Sequence, residues 1–111
     1  MKKISLLSLV ILNLQAGNYG SLLLQGNCIT CHHETKAISA PSLHDIQQNY
    51  LNAYAKKSDF IQAMSQWVLA PDAQTSIMTQ AVKKYELMPQ LNFQKDVLED
   101  ISAYIYETEF K

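Results

Sequence analysis

A chain of 111 residues with nine lysines, no arginine and ten acidic side chains allows one domain. Without Lys2 and Lys3 it carries seven basic against ten acidic groups, a formal charge of −3, and this excludes the basic patch of a nucleic-acid binder. At this size a core of side chains alone is marginal, and a metal or covalent cross-link commonly adds the missing stability.

Met1-Lys2-Lys3 followed by the apolar run Ile4 to Leu12 matches the charged and hydrophobic parts of an export signal, and the run is too short to span a bilayer. The expected organisation is a signal peptide over residues 1–16, cleaved near Ala16, and one domain over 17–111. A retained membrane anchor is the lesser alternative.

No internal repeat, low-complexity tract or strand alternation occurs, and the periodicity present is helical, so the chain reads as all-α. A first helix is expected over residues 18–27, with Leu22, Leu23 and Leu24 as its apolar side. Residues 34–49, which include Pro41, have little periodicity and read as a loop. Ser58 is placed to cap a helix running to Leu69, with Phe60, Met64, Trp67 and Val68 at i, i+4, i+7 and i+8 and Pro71 as its stop. A short helix follows over 75–85, then an extended turn at Leu87-Met88-Pro89. The last helix, over 93–108, aligns Val97, Leu98, Ile101, Tyr104 and Ile105, with Asn92 as cap and Asp96, Glu99 and Asp100 towards its favourable amino-terminal end.

Between the first helix and the loop stands Cys28-Ile29-Thr30-Cys31-His32. The pattern C-x-x-C-H is the attachment signature of c-type haem, in which two thiols add to the porphyrin vinyl groups and the adjoining imidazole ligates the iron. Zinc is an unattractive alternative, because Cys28, Cys31, His32 and His33 are too close in sequence to surround a tetrahedral ion. A thioredoxin-like dithiol needs a βαβ setting that the chain lacks.

With these residues in view, the chain resembles the class I cytochromes c, in particular small single-haem bacterial ones. C-x-x-C-H closes an amino-terminal helix, a proline follows on a loop, Met88-Pro89 comes 56 residues after His32, and an aromatic sits in the closing helix. The resemblance implies four to five helices around one covalently bound haem c, with the first and last helices crossing at a small-residue contact near Gly20, Ile101 and Tyr104. Cys28 and Cys31 would form the thioethers and His32 would be the proximal ligand through its ε nitrogen. Pro41 would accept a hydrogen bond from the other ring nitrogen, and Met88 would be the sixth ligand.

Met78 and Met64 read as core instead, His33 as solvated, and His44 as a surface or propionate contact. Trp67 and Tyr54 are candidates for propionate hydrogen bonds, with packing as the plainer reading. Two fixed axial ligands leave one-electron exchange rather than catalysis. The expected function is thus a periplasmic carrier, not an enzyme, docking transiently between a membrane complex or dehydrogenase and an oxidase or reductase. Lys83 and Lys84 offer a basic rim for docking, an ordinary solvated face being the plainer reading. A gas-binding or sensor protein with a displaceable Met88, or a haem subunit of a larger redox complex, is the alternative.

Overall fold

In the computed structural model, which describes residues 19–111, the first helix (α1) occupies residues 19–27. Three successive leucines sweep about 200° around a helix and cannot share one face. Accordingly Leu24 is buried, Leu23 half-buried and Leu22 exposed. The expected leader over residues 1–16 lies outside the described residues.

The start of α1 runs against the last helix at very short range. A Cβ added to Gly20 would lie 2.9 Å from the Cβ of Tyr104 and 3.3 Å from the carbonyl oxygen of Asp100. Glycine is what lets the two backbones come this close. The terminal helices therefore meet at the small residue that the resemblance implies.

Helix α2, Leu43–Ala53, corrects the expected loop over 34–49, whose second half is helical. Ser42 caps it by accepting a hydrogen bond from the Asp45 amide at 3.1 Å, and Leu43, Ile46, Gln47 and Tyr50 follow at helical spacing on its inner side. Gln47 is what hid this stripe. It is buried, and its Nε2 donates to the carbonyl of Ile105 at 2.7 Å and to that of Thr108, so a polar residue at an apolar position is satisfied by chain about 60 residues away.

Helix α3, Lys57–Leu69, starts one residue before the serine expected to cap it; Lys56 is the N-cap and no side chain bonds there. It ends ahead of Pro71, as anticipated. Helix α4, Thr79–Tyr85, is shorter than the expected 75–85. The preceding residues are held by turn chemistry: Asp72 accepts from the Gln74 amide through its side chain (2.9 Å) and from the Thr75 amide through its carbonyl (3.2 Å), and Ser76 Oγ accepts from the Met78 amide (3.0 Å). Helix α5 covers Lys95–Glu107 with Gln94 as N-cap. Asn92 does not cap it and takes a left-handed backbone, φ 57.

The described residues contain helices and no strand. Phe60, Met64, Ile101 and Ile105 join Leu24, Leu43, Tyr50 and Phe110 in one buried cluster. The Phe60 ring stands edge-on to Tyr50 at 5.8 Å and to Tyr106 at 5.0 Å, an arrangement favoured by ring quadrupoles. Among α2 to α5 the principal contact is α3 on α5, with α2 against both. Helix α4 differs: none of its residues is buried and it packs on none of α2, α3 or α5.

Candidate functional site

The turn that holds the two thiols continues directly from α1. The Cys28 amide donates to the Leu24 carbonyl at 2.9 Å, and the amides of Cys31 and His32 both donate to the Cys28 carbonyl, at 3.3 and 2.8 Å. Three bonds thus wind Cys28, Cys31 and His32 onto one turn. Both thiols are free; Cys28 is half-buried against the core and Cys31 is exposed. Burial, reinforced by the neighbouring Cys31, pushes the Cys28 thiol up to about 11.

His32 is half-buried, and its Nδ1 lies 2.8 Å from the carbonyl oxygen of Pro41. A carbonyl only accepts, so Nδ1 carries the proton and donates it. The lone pair is then on Nε2, and the bond fixes the ring's orientation. The carbonyl is itself held in place. The Leu43 amide donates to the His33 carbonyl and the His44 amide to the Glu34 carbonyl, both at 2.9 Å, which closes the loop between the imidazole and Pro41. Ser42 then starts α2 at once.

His33 belongs to that loop: its Nδ1 accepts from the amides of Thr35 and Lys36, each at 3.1 Å. His44 is exposed, with Nδ1 3.8 Å from an Asp45 carboxylate oxygen. No group of three or more His, Cys, Asp or Glu placed to hold a metal ion occurs among the described residues.

Met88 sits on the extended segment after α4 and is half-buried, while its neighbours Leu87 and Pro89 are exposed. The segment is anchored by Gln90, whose Nε2 donates to the Leu69 carbonyl at the end of α3 at 3.3 Å. Met64 is in the core, 3 % exposed, and Met78 is half-buried at the N-cap of α4. The Trp67 indole N–H donates to the Asp72 carbonyl at 3.0 Å, and Tyr54 lies beside Tyr50 with ring centres 6.1 Å apart. Both line a cavity of about 550 Å³ along α3, together with Asp59, Gln62, Gln66 and Thr75.

The structure brings Cys28, Cys31, His32 and Pro41 together on one closed loop and puts Met88 on a separate segment. The clamps from Gln47 and Gln90 and the turn built on His33 have no local signature, since each depends on a carbonyl or amide that only the folded path brings near. These residues fit a covalently held haem. Two thiols share a turn with an imidazole whose Nε2 makes no hydrogen bond to another described residue, and Met78, Val82, Tyr85 and Met88 are each half-buried and outside the buried cluster.

The family model described as cytochrome c matches residues 18–109. No curated protein and no solved structure matches the chain.

Proposed function

Because this chain belongs to the cytochrome c family, whose members bind a covalent c-type haem and carry electrons, we propose that it is a periplasmic one-electron carrier with His32 and Met88 as axial ligands. The observation that carries the reading is the 2.8 Å bond from His32 Nδ1 to the Pro41 carbonyl, on the same closed loop as both cysteines. The haem supplies reversible one-electron exchange between ferric and ferrous iron.

The chain's residues determine how that exchange is tuned. Cys28 and Cys31 hold the group by thioethers. Pro41 keeps His32 in one tautomer and one orientation and raises the basicity of Nε2. A thioether from Met88 is a soft, weak donor that favours ferrous iron and raises the potential above that of a second imidazole. With His32 and Met88 both holding the iron, no coordination position would be left for a substrate, and the chemistry would be electron transfer rather than catalysis.

Export agrees with Lys2, Lys3 and the apolar run that follows them, and no helix among the described residues is long and apolar enough to cross a membrane. Docking to a redox partner fits the exposed Lys83 and Lys84 in the last turn of α4, with Leu87 and Leu91 exposed on the following segment. Such redox encounters are small and transient, below about 1,200 Å² of buried surface.

Optical spectra of the ferric and ferrous haem-loaded protein test this reading. It expects low-spin iron, the weak far-red band of thioether ligation, and haem that resists acid-acetone extraction. A high-spin spectrum, or rapid CO binding by the reduced form, overturns the carrier assignment.

A further inference from the structure

Glu86 is the C-cap of α4, and its backbone stands at φ 71, ψ 172. That combination is open in practice only to glycine, because a Cβ there crowds the adjoining peptide units. The other non-glycine residue with positive φ among the described residues is Asn92, at φ 57, and asparagine tolerates the left-handed region. Glu86 has no such allowance. It is exposed, and its carboxylate makes no hydrogen bond to another described residue.

What holds Glu86 there lies on either side of it. Helix α4 fixes the chain before it. After it, Pro89 sets its own φ and keeps Met88 extended, and Gln90 is tied to the Leu69 carbonyl. Backbone strain of this kind persists only where the surroundings over-determine it. Here the over-determined residue is two positions before Met88.

We infer that Glu86 is a positioning residue for Met88: its strained backbone turns the segment so that Met88 faces inwards, and release of Met88 relieves the strain. The inference rests on the reading of Met88 as the sixth ligand. The consequence is read with imidazole, a small neutral nitrogen donor that competes with a thioether for ferric iron: the strain at Glu86 shifts that competition. Displacement removes the demand that Met88 face inwards, so the short stretch between α4 and the Gln90 anchor readjusts, Glu86 returns to negative φ, and the relief adds to the incoming ligand's affinity. A glycine at the same position has no strain to release. Its greater freedom in the released segment works against the effect, so a several-fold change is expected.

The test measures imidazole binding to the ferric, haem-loaded protein by loss of the far-red band, for Glu86→Gly and Glu86→Ala. Alanine removes the carboxylate and keeps the Cβ, so it separates backbone strain from charge. E86G should weaken imidazole binding about three- to tenfold and raise the midpoint of thermal unfolding, whereas E86A should stay within about twofold of the parent. In a Met88→Ala background, where imidazole competes with no thioether, E86G should leave its affinity unchanged, which a merely structural role for Glu86 does not require. Equal affinities for E86G and E86A, or an E86G effect that persists without Met88, overturns the inference. Failure of the ligation reading is visible separately: M88A would then keep the far-red band.

Discussion

Gly20 and Gly26 lie in the same helix and face opposite surroundings, so one substitution made at each tests the terminal crossing directly. Replacing a helical glycine by alanine stabilises a helix by roughly 0.5–1 kcal/mol, since the backbone has less freedom to lose. At Gly26 a Cβ meets nothing within 4 Å, and Gly26→Ala should show that gain. At Gly20 the Cβ would be 2.9 Å from the Cβ of Tyr104 and 3.3 Å from the carbonyl oxygen of Asp100. Carbon atoms rest at about 3.5–4.0 Å, and neither neighbour is the end of a flexible side chain. Helix α1 or α5 must therefore shift by several tenths of an ångström. Such overpacking costs about 1–3 kcal/mol, which exceeds the propensity gain. G20A should be destabilised by about 1–2 kcal/mol, a fall of roughly 5–10 °C in Tm for a domain of this size. The assay is thermal unfolding of the haem-loaded protein by far-ultraviolet circular dichroism, and because propensity acts in both variants, their difference isolates the contact. Equal shifts of the same sign in G20A and G26A would refute a crossing this tight.

Other expectations are independent of that one. Gln47→Leu keeps the shape of the side chain and strips the donor from the carbonyls of Ile105 and Thr108; urea unfolding should show a loss of about 2–3 kcal/mol, and a neutral result removes the clamp's importance. Burial, and secondarily Tyr54, pushes the Tyr50 hydroxyl up to about 12. The unfolded chain gives up this proton first, near pH 10, so stability is intact below that pH and falls by about 2–3 kcal/mol between pH 10 and 12. Tyr50→Phe should flatten the decline over that window, and an unchanged pH profile counts against the burial argument. Pro41→Gly loosens the carbonyl that accepts the hydrogen bond from His32 Nδ1; the haem should stay through acid-acetone extraction while the potential shifts, and an unmoved potential denies the bond its orienting role. Met88→Ala should abolish the far-red band and lower the potential; an unchanged spectrum moves the ligand to Met78 or His44.

Where the helices lie was legible wherever one face carries an uninterrupted apolar stripe. Helix α5 is the plainest case, with Leu98, Ile101 and Ile105 buried at the spacing read from the chain. Helix α2 was lost because Gln47 occupies its stripe, and a glutamine is at home in a core only when two distant carbonyls accept from it. Caps were the weakest reading. Ser58 and Asn92 are residue types suited to capping, yet Lys56 and Gln94 stand at the caps without side-chain bonds, because the helix ends are set by packing and by turns rather than by local preference. The shortening of α4 has the same origin, with Asp72 and Ser76 taking backbone amides that a helix would have used.

The sequence by itself determined the chemistry: two thiols and an imidazole at fixed spacing, a Met-Pro pair downstream, and the composition of an all-helical domain. Covalent chemistry depends on which atoms lie within a few bonds of one another, and that is a local property of the chain. The tertiary structure decided the remainder. It set the 2.8 Å approach of Pro41 to His32 through a loop closed by two backbone bonds, the near-contact of Gly20 with Tyr104, and the positive-φ backbone of Glu86 at the end of α4. Each of these depends on where distant parts of the chain are held, and their positions follow from burial of the common core rather than from any residue's own preference.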